Sequence, residues 1–254
     1  KGINMINIVI TMGGNGRRFR EKGYDVSKYM IEVKNKTLFE WSMLSLENFK
    51  KLNPKYIFVV KKSDNAIEFI KTLSIKLGLE NINIIEIDEL TDGQATTALL
   101  AENQWSEELP LLIYNIDTHV SPKVINPVDF VGDGFIPCFN APGEMWSFVK
   151  VGKDGRVTEV REKKRISDNA TIGMYYFSSA GLYKKAYNEY YKESKNLEKG
   201  EKYIAPLYNY LVEKGYIVKM NKINYTDVYP LGIPDEVEAF EKNKYILWIK
   251  NVEV

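Results

Sequence analysis

The chain has 254 residues, 44% of them hydrophobic, enough to bury a substantial core in one large α/β domain. Thirty-five lysines and arginines against 34 acidic residues leave a formal charge of +1. No global field therefore draws nucleic acid or an anionic membrane, and any anion must be held by a local site. The single cysteine, Cys138, excludes an internal disulfide, and with no signal-like apolar run a reducing, cytoplasmic compartment is expected. Lys1 to Asn4 precede Met5, and the native start is expected at or near that methionine.

In chain order, Ile6 to Thr11 is a β-branched run that ends in glycines, the pattern of a buried parallel strand. Thr37 to Lys51 carries Leu38, Trp41, Leu44, Leu46 and Phe49 near the helical period, with Thr37 as N-cap and Glu40 three residues on. Tyr56 to Val60 reads as a strand, Asn65 to Leu77 as a helix stopped by Gly78, and Ile82 to Ile87 as a third strand. A helix over Gln94 to Trp105 and a strand from Leu111 to Ile116, running into Asp117, complete a β-α-β-α-β-α-β series. Such alternation predicts right-handed crossovers and ligands at the carboxyl ends of the strands.

The second half changes character. Phe148 to Val151 and Arg156 to Arg161 flank the turn signal GKDG, and Ile172 to Phe177 is a further strand. Leu182 to Tyr191 and Ile204 to Lys214 read as helices, Tyr216 to Ile223 as a strand, and Asp235 to Tyr245 as a last helix introduced by Pro234. The expected fold is α/β: a single Rossmann-like domain over residues 5–243, with a mixed, mostly parallel central sheet flanked by helices and a small antiparallel extension. Residues 244–254 form a C-terminal tail, a candidate to dock on the fold or on a second subunit.

The loop after the first strand, Met12, Gly13, Gly14, Asn15 and Gly16, lets backbone N–H groups approach an anion, and Arg18 adds a fork of donors. Its spacing is neither GxxxxGK[ST] nor GxGxxG, and by itself it serves equally as a strand-to-helix turn. Asp117 closes the apolar run LLIYNID, where a carboxylate is costly to bury without a partner; it suits a magnesium site or a turn cap. His119 and Cys138 have no partners at metal spacing and read as structural.

Taken together, the glycine loop with Arg18, Lys28 in SKYM, DGQATT at 92–97, YNIDT at 114–118, and EVREKK with the strand GMYYF at 173–177 resemble the nucleotidyltransferase superfamily of sugar-nucleotide pyrophosphorylases. The resemblance covers about residues 6–240. It implies a magnesium-dependent enzyme in which a phosphate oxygen of a phosphorylated metabolite attacks the α-phosphorus of a nucleoside triphosphate and expels pyrophosphate. On this resemblance Gly13, Gly14 and Gly16 cradle the triphosphate, with Met12 and Asn15 in the same loop; Arg18 faces the departing phosphates and Lys28 the α-phosphate. Gly93 and Gln94 read the base, Trp146, Ser147, Glu162, Lys163 and Gly173 line the acceptor pocket, and Asp117 binds Mg²⁺.

Four places in the chain depart from that pattern. Pro230 stands two before Gly232, where relatives carry a second metal carboxylate, and Asp227 is the nearest upstream candidate ligand. Ser147 replaces a glycine, Asn115-Ile116 replaces a glycine-containing approach, and Arg17 replaces a small or polar residue. NKTLFEWS, GQATT and WSFVK are similar to capsule-locus enzymes, including the CTP:phosphoglutamine cytidylyltransferase group. That similarity implies CMP transfer to a phosphorylated amino acid, with a sugar 1-phosphate as the ordinary alternative. A nucleotide-sugar-dependent glycosyltransferase and a catalytically idle nucleotide-binding regulator are the rival classes.

Overall fold

The computed structural model describes residues 5–243, so the tail at 244–254 and Lys1 to Asn4 lie outside the described residues. In chain order it forms β1 (Asn7–Met12), α1 (Arg17–Glu21), β2 (Glu32–Val33), β3 (Lys36–Thr37), α2 (Leu38–Leu44), β4 (Lys55–Lys61), α3 (Ile67–Lys76), β5 (Ile82–Ile87) and α4 (Gln94–Leu99). There follow β6 (Leu111–Asn115), β7 (Thr118–Val120), β8 (Gly134–Phe139), β9 (Ser147–Val151), β10 (Val157–Glu162), β11 (Ala170–Thr171) and β12 (Met174–Phe177). The last elements are α5 (Ala180–Tyr190), α6 (Leu207–Glu213), β13 (Val218–Ile223), β14 (Val228–Pro230) and α7 (Pro234–Glu241).

Ten strands make one mixed sheet, ordered β10-β9-β11-β8-β12-β6-β1-β4-β5, with β13 pairing β8 off that path. Its parallel pairings are β1 with β4 and β6, β4 with β5, and β13 with β8. Both faces of the sheet are covered, which is why β1 carries apolar residues on both of its sides: Ile8, Ile10 and Met12 enter one core cluster while Val9 enters the other. The antiparallel hairpin β9–β10 forms around GKDG as expected. No helix among the described residues is long and apolar enough to cross a membrane.

After β1 the chain moves outward to β4 and β5, then returns to the opposite side of β1 as β6. That reversal opens a crevice beyond the carboxyl ends of β1 and β6, the topological switch point where ligands bind in doubly wound sheets. The glycine loop leaves β1 there and Asp117 follows β6 there.

Two helices are shorter than the sequence expectation, and one strand falls where none was expected. The helix expected over 37–51 begins at the Thr37/Glu40 capping box but stops at Leu44, and a 3-10 turn, Glu47–Leu52, follows. The stop coincides with Ser45, whose hydroxyl accepts from the Val120 N–H (2.9 Å) and the Tyr114 hydroxyl (3.1 Å), contacts that no local pattern announces. Likewise the helix expected over 94–105 is regular only to Leu99. Finally, β8 is an interior strand in spite of Pro137. Its proline sits where the partner changes register, between Thr171↔Cys138 and Tyr176↔Phe135, and Gly173 at φ 78° carries that irregularity.

Candidate active site

Gly16 adopts the left-handed conformation (φ 58°, ψ 28°) that ends the loop and starts α1. A side chain on Gly13 would meet Ile87 Cδ1 at 3.1 Å, whereas the space over Gly14 is open. Gly13 thus lies close against the fold and Gly14 faces solvent in the crevice. The Met12 side chain points the other way, 1% exposed in the core, so the expectation that it binds nucleotide is corrected for its side chain. Phe19 anchors α1 in a separate cluster with Ile31, Leu38, Leu231, Val237 and Phe240. That anchor brings exposed Arg18 beside the turn at Gly232 and the start of α7.

Lys28, on a 3-10 turn, reaches across to Asp117: Nζ lies 2.7 Å from Oδ2. Both side chains are only partly exposed, 17% and 25%, so the pair is screened less than a surface ion pair. The crevice around them, about 410 Å³, is lined by Gly13, Gly14, Asn15, Lys28, Gly93, Gln94 and Asp117, among others. Gly93 has φ 145°, and a Cβ there would collide with the Lys202 backbone, which accepts the Ala95 N–H (3.0 Å). Close approach of two chain segments therefore requires this glycine. The Gln94 amide donates to Thr11 Oγ1 (2.9 Å) and to Asn115 Oδ1, so its Nε2 is already engaged within the protein.

A second cleft of about 560 Å³ adjoins the first and shares Gln94, Asn115 and Asp117 with it. Trp146, Ser147, Glu162, Lys163 and Gly173 all line it, as does Arg18. Its polar groups are paired with one another: Ser147 Oγ donates to Glu162 Oε2, Lys163 Nζ to Tyr203 Oη, and Thr171 Oγ1 lies 3.1 Å from Tyr175 Oη. Burial raises the Glu162 carboxyl above its ordinary value, against the lowering effects of Ser147 and Lys163. Gly173 is required by Asn115, whose Cγ would lie 2.8 Å from a Cβ at that position.

Asp227 is not brought to Asp117. It ends a 3-10 turn, Tyr225–Asp227, and its carbonyl accepts from Ser121 N–H at 2.9 Å. Because β14 runs antiparallel to β7 with Pro230 opposite Thr118, three extended residues separate Asp227 from the crevice, roughly 10 Å. The expected metal ligation by Asp227 is corrected accordingly. The acid that does approach is Glu236: a Cβ on Gly232 would be 3.3 Å from Asp117 Oδ2 and 3.6 Å from Glu236 Oε2. Glu236 accepts from Gly232 N–H (2.8 Å) and Ile233 N–H (3.1 Å), and burial followed by the Asp117 charge pushes it up to about 7. Among the described residues no three His, Cys, Asp or Glu side chains converge as a cage. Magnesium, which takes one or two carboxylates and completes its shell with phosphates and water, fits Asp117 in this setting.

Elsewhere, Arg17 pairs with Glu21 on the surface (2.7 Å) and Arg161 with Glu159 (2.7 Å). Arg165 is held by Asp168 and the carbonyls of Ala141 and Gly143, the last of which lines the second cleft. His119 is buried against Trp41 and Tyr229, as its structural reading required. Asn115, Tyr203 and Glu236 are the site residues that sequence reasoning did not single out as ligands or supports. The side-chain partners of Asn115 and Tyr203 lie tens of residues away, as does the Asp117 that Glu236 approaches, and only Asn115, close to the aspartate, had a local signal.

The chain is similar over 92% of its length to 99% of a nucleoside-diphosphate-sugar pyrophosphorylase from Vibrio cholerae RC9, at 34% identity and TM-score 0.86. It also resembles the inositol-1-phosphate CTP transferase of T. maritima, at 17% identity and TM-score 0.74 over 95% of this chain and 96% of that one. A Bacillus anthracis protein assigned as a glucose-1-phosphate thymidylyltransferase, in complex with sucrose, matches at 14% identity and TM-score 0.72, covering 94% and 95%. The last two likenesses bear on the fold alone. No family model matches the chain, and no curated protein sequence does.

Proposed function

The chain belongs to the nucleotidyltransferase family of the nucleoside-diphosphate-sugar pyrophosphorylases, and we propose that it transfers a nucleoside monophosphate, CMP, from the triphosphate to a phosphorylated small-molecule acceptor. The acceptor's phosphate oxygen forms a bond to the α-phosphorus, the bond from that phosphorus to the β-phosphate oxygen breaks, and pyrophosphate leaves with the electron pair. The acceptor is a phosphorylated amino acid such as phosphoglutamine, or a sugar 1-phosphate, and the product is an activated unit for capsule or other surface polysaccharide.

One observation carries this reading: Lys28 and Asp117 form an ion pair in the crevice at the switch point, beside the glycine loop, and Arg18 lines the adjoining cleft that shares Asp117. Attack of one anion on another needs fixed positive charge more than it needs a protein nucleophile. In this reading the backbone of Gly13, Gly14 and Gly16 lies along the triphosphate, Arg18 meets the β- and γ-phosphates, and Lys28 exchanges Asp117 for α-phosphate oxygens. Gly93 and Gln94 border the base. Trp146, Ser147, Glu162, Lys163 and Gly173 border the acceptor, with Lys163 nearest in kind to a phosphate partner. Asp117 is the residue that would hold Mg²⁺, which when bound supplies charge to neutralise the polyphosphate.

The test is pyrophosphate release from each triphosphate in turn with Mg²⁺ and a panel of phosphorylated amino acids and sugars. Release that depends on both CTP and one acceptor is the expected result. Transfer from a preformed nucleotide-sugar, with no pyrophosphate formed, would overturn it.

A further inference from the structure

Lys28 has to enter the crevice from a short 3-10 turn, Lys28–Met30, preceded by the exposed or half-exposed residues 25–27. The turn closes on itself through Met30 N–H to Ser27 O (2.8 Å) and Ile31 N–H to Lys28 O (3.2 Å), bonds that shape it without fixing it to the sheet. Tyr29 does fix it. Its ring is 1% exposed and packs on Phe69 at 6.0 Å between centroids, and its hydroxyl donates to Asp64 Oδ2 at 2.8 Å. The other carboxylate oxygen of Asp64 lies 3.3 Å from Lys61 Nζ, and both side chains are largely buried. Lys61 is the last residue of β4, the strand paired to β1.

We propose that Tyr29 and Asp64 are positioning residues for Lys28, a Lys61–Asp64–Tyr29 relay by which the end of β4 sets the lysine turn against the crevice. The inference rests on the nucleotidyl-transfer reading for its effect on rate. Successive residues carry opposite duties: Tyr29 points back to the sheet, so Lys28 points forward to Asp117. Two neighbouring parallel strands thus supply the two halves of one phosphate site, β1 through its glycine loop and β4 through this relay. Burial, and then the bond to Asp64, hold the Tyr29 hydroxyl far above its ordinary value, so it remains a donor throughout the working pH range. A displacement of about 1 Å in a positioned catalytic group is enough to cost orders of magnitude in rate.

The experiment is a double-mutant cycle of Tyr29→Phe with Lys28→Ala, read as kcat, KM and Tm. Tyr29→Phe is expected to lower kcat about tenfold with KM for the triphosphate and Tm little changed, and to have no further effect once Lys28 is alanine. Asp64→Asn, which keeps an acceptor for Tyr29, is expected to retain more of kcat than Asp64→Ala. An unchanged kcat in Tyr29→Phe, an undiminished effect in the Lys28→Ala background, or equal losses in both Asp64 variants would overturn the proposal. If the wild-type protein releases no pyrophosphate with any substrate, the functional reading fails, and the relay is read instead from NMR of ¹³C-methylated lysines. There the Lys28 signal, assigned from its absence in Lys28→Arg, is expected to shift in Tyr29→Phe, and an unmoved signal overturns the relay.

Discussion

The two halves of the crevice are built differently. On the β1–β6 side the working parts are backbone and fixed charge: a glycine turn, the Lys28–Asp117 pair, and Arg18 held by the burial of Phe19 next to it. On the β9–β12 side they are side chains already bonded to one another, Ser147 to Glu162, Lys163 to Tyr203, and Thr171 beside Tyr175. The first arrangement suits any polyphosphate, because it reads charge. The second suits one acceptor, because a ligand must replace particular hydrogen bonds, and leaving a buried polar group unpaired penalises the wrong molecule.

That contrast breaks if the two sides respond alike to substitution. The largest effect is expected from Arg18→Ala or Asp117→Ala, each lowering turnover about 10²- to 10³-fold while circular dichroism and Tm stay near wild type; near-normal rates in both variants would contradict the assignment. Next comes Gly93→Ala, which forces a Cβ into the Lys202 backbone at φ 145°. It should cost about 3 kcal/mol of stability by urea unfolding, a structural loss in place of a chemical one. Ser147→Ala should raise KM for the acceptor severalfold and leave KM for the triphosphate unmoved, since it strips a donor from buried Glu162. Equal changes in both constants would erase the distinction between the two sides.

The smallest effect concerns pH. Glu236 has its ordinary value of 4.5 pushed up to about 7 by burial and then by Asp117, partly offset by the N–H groups of Gly232 and Ile233. The folded protein therefore binds this proton more tightly than the unfolded chain. Its contribution to stability is full below pH 4.5, falls as pH rises toward 7, and is level above. Glu236→Gln should flatten that limb of the curve of stability against pH, and an unchanged slope would show that another group produces it.

Much of the β1–β6 side was legible in the sequence because its determinants are local. β5 and the Thr37/Glu40 capping box fall where periodicity and capping placed them, and the alternation of strands and helices implied the switch point. What was illegible depends on distant partners. The sequence reading placed no element at 134–139, where β8 accommodates Pro137 because its partner changes register beside Gly173. Ser45 ends α2 through contacts with residues 114 and 120. Asp227 was the carboxylate nearest upstream of the departure at Pro230, but an extended β14 carries it away from Asp117 and leaves Glu236 in the neighbourhood. The residues that line the second cleft were visible as residue types, whereas Tyr203, which holds Lys163 from 40 residues away, had no local signal.

The central claim is that the glycine loop, Arg18, Lys28 and Asp117 serve one polyphosphate. The most direct measurement is a crystal structure with Mg²⁺ and a non-hydrolysable CTP analogue. It is predicted to show the phosphates along Gly13 to Gly16, with Lys28 Nζ moved from Asp117 onto an α-phosphate oxygen. Nucleotide bound elsewhere, with the Lys28–Asp117 pair intact and no phosphate in reach of Arg18, would contradict it.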